Sequence, residues 1–158
     1  EKVSQQLIQV SGRAGRNNNL AKVIIQTRYP DDINLKQIKT GDYRLISDQC
    51  LKVNKELSMP PYSSICIVRA ISPKIKGSLD FLNRASLTLS NKRGISVVGP
   101  LPSIPFKIKG NTRNHLVIKS PTKTYLNRVL KFLTEEFDRW PETKKVKWSY
   151  DIDPYDMN

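Results

Sequence analysis

Residues 106–120 read Phe-Lys-Ile-Lys-Gly-Asn-Thr-Arg-Asn-His-Leu-Val-Ile-Lys-Ser. Two runs of strand length, Phe106–Lys109 and Arg113–Ser120, flank the dipeptide Gly110-Asn111. Apolar and polar residues that alternate around such a turn predict a β-hairpin. This hairpin decides the fold of the second half of the chain, because the elements predicted on both sides of it have to pack against its strands.

The segment before the hairpin predicts a strand, a helix and a second strand. Branched residues over Tyr62–Ile71 are typical of a strand, apolar residues over Leu79–Asn91 recur at helical spacing, and Ile95–Val98 is a short strand-like run. The proline-rich segment Gly99–Pro105 is predicted to be a loop, because proline is excluded from regular helices and from central strands.

The segment after the hairpin predicts a helix and a last strand. The helix starts after Pro121 with Thr122 as its N-cap and ends at Trp140-Pro141. Apolar and polar residues alternate over Val146–Ile152, as in a strand with one buried face. The order strand, helix, strand, strand, helix, strand predicts a ferredoxin-like α+β sandwich over residues 59–158.

The first part of the chain holds too few elements to fold in the same way. Residues 1–30 contain one predicted helix and one predicted strand, Val23–Thr27. They are interpreted as the terminal helix-strand edge of an α/β domain whose other strands lie upstream. Residues 31–58 are interpreted as a helical connector, because their apolar residues form one stripe at helical spacing.

Residues 9–16, Gln-Val-Ser-Gly-Arg-Ala-Gly-Arg, carry the most specific chemistry in the chain. Arg13 and Arg16 share one face of a helix, and the planar guanidinium suits phosphate. Gly12 and Gly15 weaken a helix interior, which indicates a close approach of the backbone to a ligand or to a neighbouring strand. The alternative is that the arginines only stabilise the C-terminus of the helix.

The pattern Gln9-x-x-Gly12-Arg13-x-Gly15-Arg16 resembles the sixth helicase motif of superfamily-2 helicases. Together with three later segments, in the same order, it is similar to the bacterial primosomal replication-restart helicases, the PriA (primosomal protein N-prime) family. The later segments are Lys55–Tyr62, Val98–Pro102 and Trp148–Pro154.

The resemblance implies an organisation and an activity. It places the end of the second RecA-like helicase lobe in residues 1–30, a connector in residues 31–58, and a C-terminal domain similar to ribosomal protein S-ten in residues 59–158. The implied activity is ATP-dependent 3′-to-5′ unwinding of DNA, which restarts stalled replication forks by primosome assembly. The implied partners are single-stranded DNA-binding protein and other primosome proteins, in the bacterial cytoplasm at the nucleoid.

The resemblance also implies a nucleotide site. Arg13 and Arg16 would be catalytic, with Arg16 as an arginine finger on the γ-phosphate, and Gln9 and Gly12 would bind the nucleotide. ATP and Mg²⁺ would be cofactors of the full-length protein. The chain alone has no phosphate-cradling glycine-rich loop and is not expected to hydrolyse ATP. The zinc of the family is expected upstream of this chain.

Lysine and arginine number 27 against 14 acidic residues, which gives a formal net charge of +13. This excess predicts a polyanionic partner, and branched or single-stranded DNA is the leading candidate. A membrane is not expected, because no long apolar run is present. A second interpretation stays open here, namely a stand-alone, non-enzymatic nucleic-acid-binding module from a truncated or split gene.

The hairpin and its neighbours form the predicted DNA-binding surface. Its residues are Lys107, Lys109, Arg113, Lys119 and Lys123. Alternation along the strand predicts that Lys107 and Lys109 share an exposed face, which suits contacts to phosphates, although an ordinary solvated face is the alternative. The family usually has aromatic residues around the arginine, whereas Thr112 and Asn114 stand here. The expected role is therefore electrostatic rather than base stacking.

The remaining polar and aromatic candidates are interpreted as structural: the aspartates cap a turn, the tryptophans pack, and the cysteines are buried thiols. The cysteines and the single histidine are too few for a zinc site. These candidates are Asp151 and Asp153 at a strand end, Trp140 and Trp148, His115, Cys50 and Cys66.

Overall fold

The computed structural model describes residues 2–14, 22–31, 35–36, 38 and 43–154. The chain divides into two compact units, residues 1–57 and residues 58–158. The assignment of a separate role to residues 1–30, 31–58 and 59–158 stays a prediction.

The described residues of the first unit include two long helices, α1 (Lys2–Ala14) and α2 (Tyr43–Glu56). Helix α1 carries the first part of the arginine motif and has Arg13 in its last turn. Gly15 and Arg16 lie outside the described residues. Helix α2 is the predicted connector helix, and it ends shortly before Pro60-Pro61.

No strand is present at Val23–Thr27 among the described residues. The strand predicted there belongs to a sheet whose other strands are expected upstream, so it stays a prediction. Ile24 is 82% exposed. A strand exists through hydrogen bonds to a neighbour, and the described residues offer this segment no neighbouring strand. The β-branched run therefore favours a strand, but the described part of the chain contains no strand with which it could pair.

The second unit has the predicted order of strands and helices. Its elements are β1 (Ser64–Ser72), α3 (Ile75–Leu89), β2 (Ser96–Ile108), β3 (Asn111–Ser120), α4 (Lys123–Arg139), the 3₁₀-helix η1 (Pro141–Lys145) and β4 (Lys147–Ile152). The sheet order is β2-β3-β1-β4, and every neighbouring pair is antiparallel. This is the ferredoxin-like arrangement, in which two βαβ units interleave in one antiparallel sheet, so the predicted α+β class is confirmed.

The core of the second unit lies between the two helices and one face of the sheet. On β1 it is formed by the fully buried Cys66, Val68 and Ala70. The ring of Phe137 on α4 lies 4.6 Å from that of Phe81 on α3 and 5.0 Å from that of Trp148 on β4, measured between centroids. The aromatic residues therefore tie both helices to the sheet, and the packing role expected for Trp148 is confirmed.

The sequence predicted a loop for the proline-rich segment Gly99–Pro105, and this prediction is wrong. The segment is the middle of β2. Strand β2 lies at an edge of the sheet, where a proline does not have to donate to a second neighbour. The pairing with β3 shifts register between Val98 and Leu101 and again between Pro102 and Lys107. The two short strands predicted on either side of the prolines are thus the ends of one irregular edge strand.

Helix α4 begins and ends where the sequence predicts. The Thr122 side chain accepts a hydrogen bond of 3.2 Å from the backbone N–H of Tyr125, which confirms it as the N-cap. After Trp140 the chain turns into η1, an element that the sequence did not predict. No helix in the described part of the chain is both long and apolar enough to cross a membrane.

Candidate nucleic-acid interface

The hairpin turn differs from the predicted one by a single residue. Lys109 and Gly110 are the two turn residues, with φ angles of 47° and 78°, and Ile108 pairs with Asn111 across the turn. Positive φ at both central positions is typical of the tight turns that match the twist of the flanking strands. The Asn111 side chain steadies the turn by donating a hydrogen bond of 3.2 Å to the backbone oxygen of Lys109.

This register corrects the expected arrangement of the hairpin lysines. Lys107 is paired with Thr112, whose hydroxyl bonds the Ser72 backbone oxygen at 3.0 Å and which is buried. Directly paired residues project to the same face, so Lys107 leaves the sheet on the face that the helices cover. Lys109 lies in the turn itself. Lys107 and Lys109 therefore do not share a strand face.

Arg113 belongs to a row that crosses three strands on the opposite face of the sheet. It is paired with Ile71 of β1, and Ile71 is in turn paired with Lys147 of β4. The Arg113 side chain also donates a hydrogen bond of 3.4 Å to the backbone oxygen of Pro105, which holds the guanidinium near the hairpin. The pairing thus places two cations on either side of an apolar residue at the hairpin end of the sheet.

The 3₁₀-helix η1 brings two further lysines to this row and closes a cleft of about 750 Å³. The cleft is lined by basic and apolar side chains together. Its basic residues are Lys109, Arg113, Lys144, Lys145 and Lys147. Its apolar residues are Ile71, Pro73, Ile108 and Val146, and Asn111 and Thr143 complete the lining.

A second cleft of about 630 Å³ adjoins the first, and the two share Pro73 and Lys145 in their linings. It adds Lys74 and Lys76, which flank the start of α3. We call the two clefts together the basic channel. Its seven cations are Lys74, Lys76, Lys109, Arg113, Lys144, Lys145 and Lys147.

The charge of the basic channel is almost uncompensated. Asp80 is the one acidic residue among the described residues that line it. Glu142 lies in the same 3₁₀-helix as Lys144 and Lys145, but its two carboxylate oxygens accept from Arg84 Nη1 at 3.1 and 3.0 Å. Within the described part of the chain, none of the seven cations forms an ion pair. Clustered cations of this kind create a positive potential that attracts polyanions.

The other two predicted DNA-binding residues lie at the far end of β3. Six residues separate Arg113 from Lys119, which corresponds to about 20 Å along a strand. Lys119 pairs with Ile65 and with Ser96. Lys123 Nζ lies 3.0 Å from Asp153 Oδ2, so its charge is partly compensated. The structure therefore brings Lys109 and Arg113 together with new partners and separates them from Lys119 and Lys123.

The carboxylates near the C-terminal strand act as structural groups, as the sequence predicted. Asp153 accepts from Lys123 and from the backbone N–H of Ile65, and these bonds, the lysine's above all, lower the pKa of its carboxyl. Asp151 Oδ2 lies 2.7 Å from Arg69 Nη1. No cluster of three or more His, Cys, Asp and Glu side chains that could hold a metal ion exists among the described residues.

His115 and Cys66 are likewise structural. His115 is buried in β3, and its Nδ1 lies 3.1 Å from the hydroxyl of Ser103. Burial lowers the pKa of the imidazole, and Arg69 and Arg113 lower it further, so the ring is neutral at pH 7. Burial raises the pKa of the Cys66 thiol to about 12, which leaves it unreactive.

The nucleotide-site residues of the first unit are described only in part. Gln9, Gly12 and Arg13 are exposed on α1, and an added Cβ at Gly12 would meet no described atom within 4 Å. Arg16 lies outside the described residues. The roles proposed for these four residues stay predictions.

Most of the basic channel was not predicted from the sequence. Lys144, Lys145 and Lys147 form a visible basic run, but they are more than thirty positions from Arg113. Only the sheet order, with β1 between β3 and β4, brings this run to Arg113. The signal available in the sequence was the basic run itself, which adjoins the predicted strand Val146–Ile152.

Fold and surface together define a ferredoxin-like α+β domain with a polyanion-attracting channel, and comparison with known proteins identifies its family. Residues 55–155 match the family profile described as Primosomal protein N C-terminal domain. The chain belongs to this family, and it corresponds to a C-terminal portion of its members.

Individual relatives agree with the family match. The chain is 33% identical over 159 residues to the replication restart protein PriA of Bacillus subtilis (strain 168), covering 99% of this chain and 20% of the relative. It is 26% identical over 161 residues to the protein of the same name from Haemophilus influenzae, covering 100% and 22%. The corresponding protein of Rickettsia prowazekii is 30% identical over 154 residues, covering 98% and 23%. The chain thus spans about a fifth of the length of these relatives.

Proposed function

We propose that this chain is the C-terminal part of a helicase that restarts stalled replication forks, and that residues 58–154 bind DNA through the basic channel. The observation that carries the proposal is the convergence of seven cations, with one carboxylate among them, on two joined clefts. The relatives named replication restart proteins support the biological setting.

The basic channel suits contacts to the phosphate backbone. Lysine and arginine bind phosphates through charge-assisted hydrogen bonds, and such contacts position a protein on DNA without selecting a sequence. Each phosphate that is neutralised releases condensed counterions, so the affinity should fall steeply with salt. The described lining contains no aromatic residue, which favours electrostatic docking over base stacking.

The first unit would supply the nucleotide site of the complete motor. Arg13 and Arg16 would contact the triphosphate of ATP bound with Mg²⁺ on an upstream lobe, and Gln9 and Gly12 would lie beside it. The exposure of Gln9 and Arg13 on one end of α1 supports this role, since both side chains are available to a ligand. Alone, this chain would not hydrolyse ATP. Unwinding with 3′-to-5′ polarity and the upstream zinc site belong to the same proposal.

The partners follow from the proposed setting. They are branched or single-stranded DNA, single-stranded DNA-binding protein and other primosome proteins, in the bacterial cytoplasm at the nucleoid. The high net positive charge supports the DNA partner most directly.

The DNA-binding proposal is tested with two triple variants of the full chain that carry equal charge. The first replaces Lys144, Lys145 and Lys147 by glutamine. The second, the control, replaces Arg93, Arg128 and Lys131 by glutamine, which are exposed and lie outside the channel lining. Binding to a labelled DNA fork is followed by fluorescence anisotropy over a series of salt concentrations.

The channel variant should weaken binding and reduce the slope of log K against log salt by about 0.9 for each phosphate contact that is lost. The control should change both quantities much less. If the control weakens binding as much as the channel variant, the general charge of the domain, and not the channel, binds DNA, and the proposal fails.

The nucleotide-site proposal requires the full-length protein. Arg16→Ala should lower DNA-stimulated ATP hydrolysis by roughly a thousandfold, because an arginine finger acts on charge that develops only in the transition state. ATP binding, measured with a fluorescent nucleotide, should change far less. Equal hydrolysis by the variant and the parent would remove Arg16 from the site.

A further inference from the structure

We propose that the first cleft of the basic channel holds an unpaired nucleotide, with its base against the exposed apolar lining residues and its phosphates on the basic ones, and that the strand continues along the second cleft. This inference rests on the proposed DNA-binding function. It goes further because it assigns the cleft to single-stranded rather than double-stranded nucleic acid.

The apolar part of the first cleft is open to a ligand. Ile108 is 44% exposed at the end of its strand, Pro73 is exposed and Ile71 is half-buried. We call these three residues the floor of the cleft and its basic lining residues the rim. The phosphates of a duplex would use the rim only, because the bases of a duplex are stacked inside the helix. A ligand that covers both the floor and the rim has to combine a flat apolar part with negative charge, and an unpaired nucleotide does so.

The size and shape of the first cleft also suit one nucleotide. Its volume of about 750 Å³ lies within the range of pockets that enclose small organic ligands. The row Arg113, Ile71 and Lys147 crosses the sheet at its hairpin end, so cations flank the apolar centre on two sides. One base can therefore enter between phosphate contacts on either side of it.

The polar side chains in the lining predict that the cleft accepts any base. Asn111 donates to the backbone oxygen of Lys109 at 3.2 Å, and the hydroxyl of Thr143 donates to the backbone oxygen of Phe137 at 2.5 Å. One amide N–H of Asn111 and the hydroxyl proton of Thr143 are thus used to hold the local backbone. In this proposal the apolar lining residues supply the contact with the base, and its strength should depend little on sequence.

The extent of the charge argues for a strand rather than an acidic peptide. The second cleft shares Pro73 and Lys145 with the first, and it adds Lys74 and Lys76. A nucleic-acid strand carries one charge at every residue and can follow both clefts, whereas alternating acidic and apolar side chains of a peptide would match only the first.

The test compares three anionic probes of equal total charge on the full chain. They are an oligothymidylate, an abasic deoxyribose-phosphate oligomer of the same length, and an oligoglutamate. The parent chain should bind the oligothymidylate about three- to tenfold more tightly than the abasic oligomer, the range expected for burying part of one or two bases on aliphatic side chains. Oligoglutamate should bind more weakly than both.

The floor is then altered by the double variant Ile71→Thr and Ile108→Thr, which keeps branched residues in the strands and removes apolar surface. Its control is Val98→Thr and Leu101→Thr, two exposed apolar residues of β2 outside the clefts. The floor variant should lose the preference for the oligothymidylate, and the control should keep it. Circular dichroism melting curves confirm that both variants fold.

If the double variant does not fold, the single variant Ile108→Thr provides the same comparison at an exposed position. Equal binding of the oligothymidylate and the abasic oligomer by the parent chain overturns the inference, as does a preference that survives the floor variant. Tighter binding of oligoglutamate overturns it in favour of an acidic protein partner. The proposed DNA-binding function fails separately, when the variant of Lys144, Lys145 and Lys147 binds every DNA as well as the parent does.

Discussion

The two ends of strand β3 both carry basic residues, but they differ in the acidic groups that surround them. At the hairpin end, Arg113 joins six lysines, and one carboxylate lines the channel within the described residues. At the far end, the Lys123 ammonium is held 3.0 Å from Asp153. A phosphate at the far end has to compete with that carboxylate, whereas a phosphate in the basic channel meets cations that form no ion pair within the described residues.

The difference teaches that the number of cations in a stretch of sequence does not locate a polyanion site. A cation that already has an intramolecular partner gains little from a phosphate, because the new contact replaces an old one. Whether a cation already has an acidic partner depends on residues that are distant from it in the sequence. Four experiments can break or sharpen the comparison, and the largest effect is expected where the acidic environment of the far end is copied into the channel.

Ile108→Glu places a carboxylate beside Lys109 and Arg113, as Asp153 lies beside Lys123. We expect about a tenfold loss of affinity for forked DNA at low salt, from both compensation of the cations and repulsion of the phosphates. Fluorescence anisotropy measures the loss, which should shrink as salt is added. Ile108→Gln is the control for size, and a loss of the same magnitude in this variant would show that the charge is not responsible.

Arg84→Gln releases Glu142 from its two hydrogen bonds of 3.1 and 3.0 Å. The freed carboxylate lies in η1 close to Lys144 and Lys145, so it should compensate part of the channel charge. We expect a two- to fourfold loss of DNA affinity, which is the scale of one partly exposed charge. The double variant Arg84→Gln and Glu142→Gln should regain the parent affinity. A double variant that stays weak would assign the loss to the packing of Arg84 over the Trp140 ring, 4.7 Å away.

Asp153→Asn makes the converse change at the far end, since it leaves Lys123 without its carboxylate. DNA affinity should rise by less than twofold, because one surface charge is gained far from the channel. A larger rise would show that the far end belongs to the DNA surface and would break the comparison.

The same variant should alter the acid stability of the domain. The folded-state pKa of Asp153 is lowered, so the contribution of this group is present above the usual carboxyl range and is lost as the pH falls through its folded pKa. Lys123 is 64% exposed, so the contribution should be below about 1 kcal/mol. Urea unfolding at pH 7 and at pH 3 measures it: the parent should lose slightly more stability than Asp153→Asn between the two.

The sequence predicted the order of elements in the second unit because each element has a local signature. Thr122 and Pro141 mark the two ends of α4, and their effect does not depend on the rest of the chain. The proline segment of β2 was misassigned because a proline is excluded from central strands but tolerated at an edge, and only the sheet order shows which strand is the edge.

The candidate site was predicted less completely than the fold for a related reason. Lys109 and Arg113 follow from the hairpin alone. The lysines of η1 and β4 join them only through the pairing of β1 with both β3 and β4. A shift of the turn by one residue was enough to move Lys107 to the other face, because alternate residues of a strand face opposite ways.

Lys107 therefore gives the comparison its smallest and most demanding test. Lys107→Gln and Lys109→Gln remove the same charge at positions two residues apart. Because Lys107 projects from the helix-covered face and does not line the channel, its loss should leave DNA affinity within the error of the anisotropy measurement. Lys109→Gln should lower the affinity two- to threefold and reduce the salt slope by about 0.9. Equal effects of the two variants would mean that the DNA wraps around the hairpin and contacts both faces, and the surface would then have to be extended from the channel across the β2 edge.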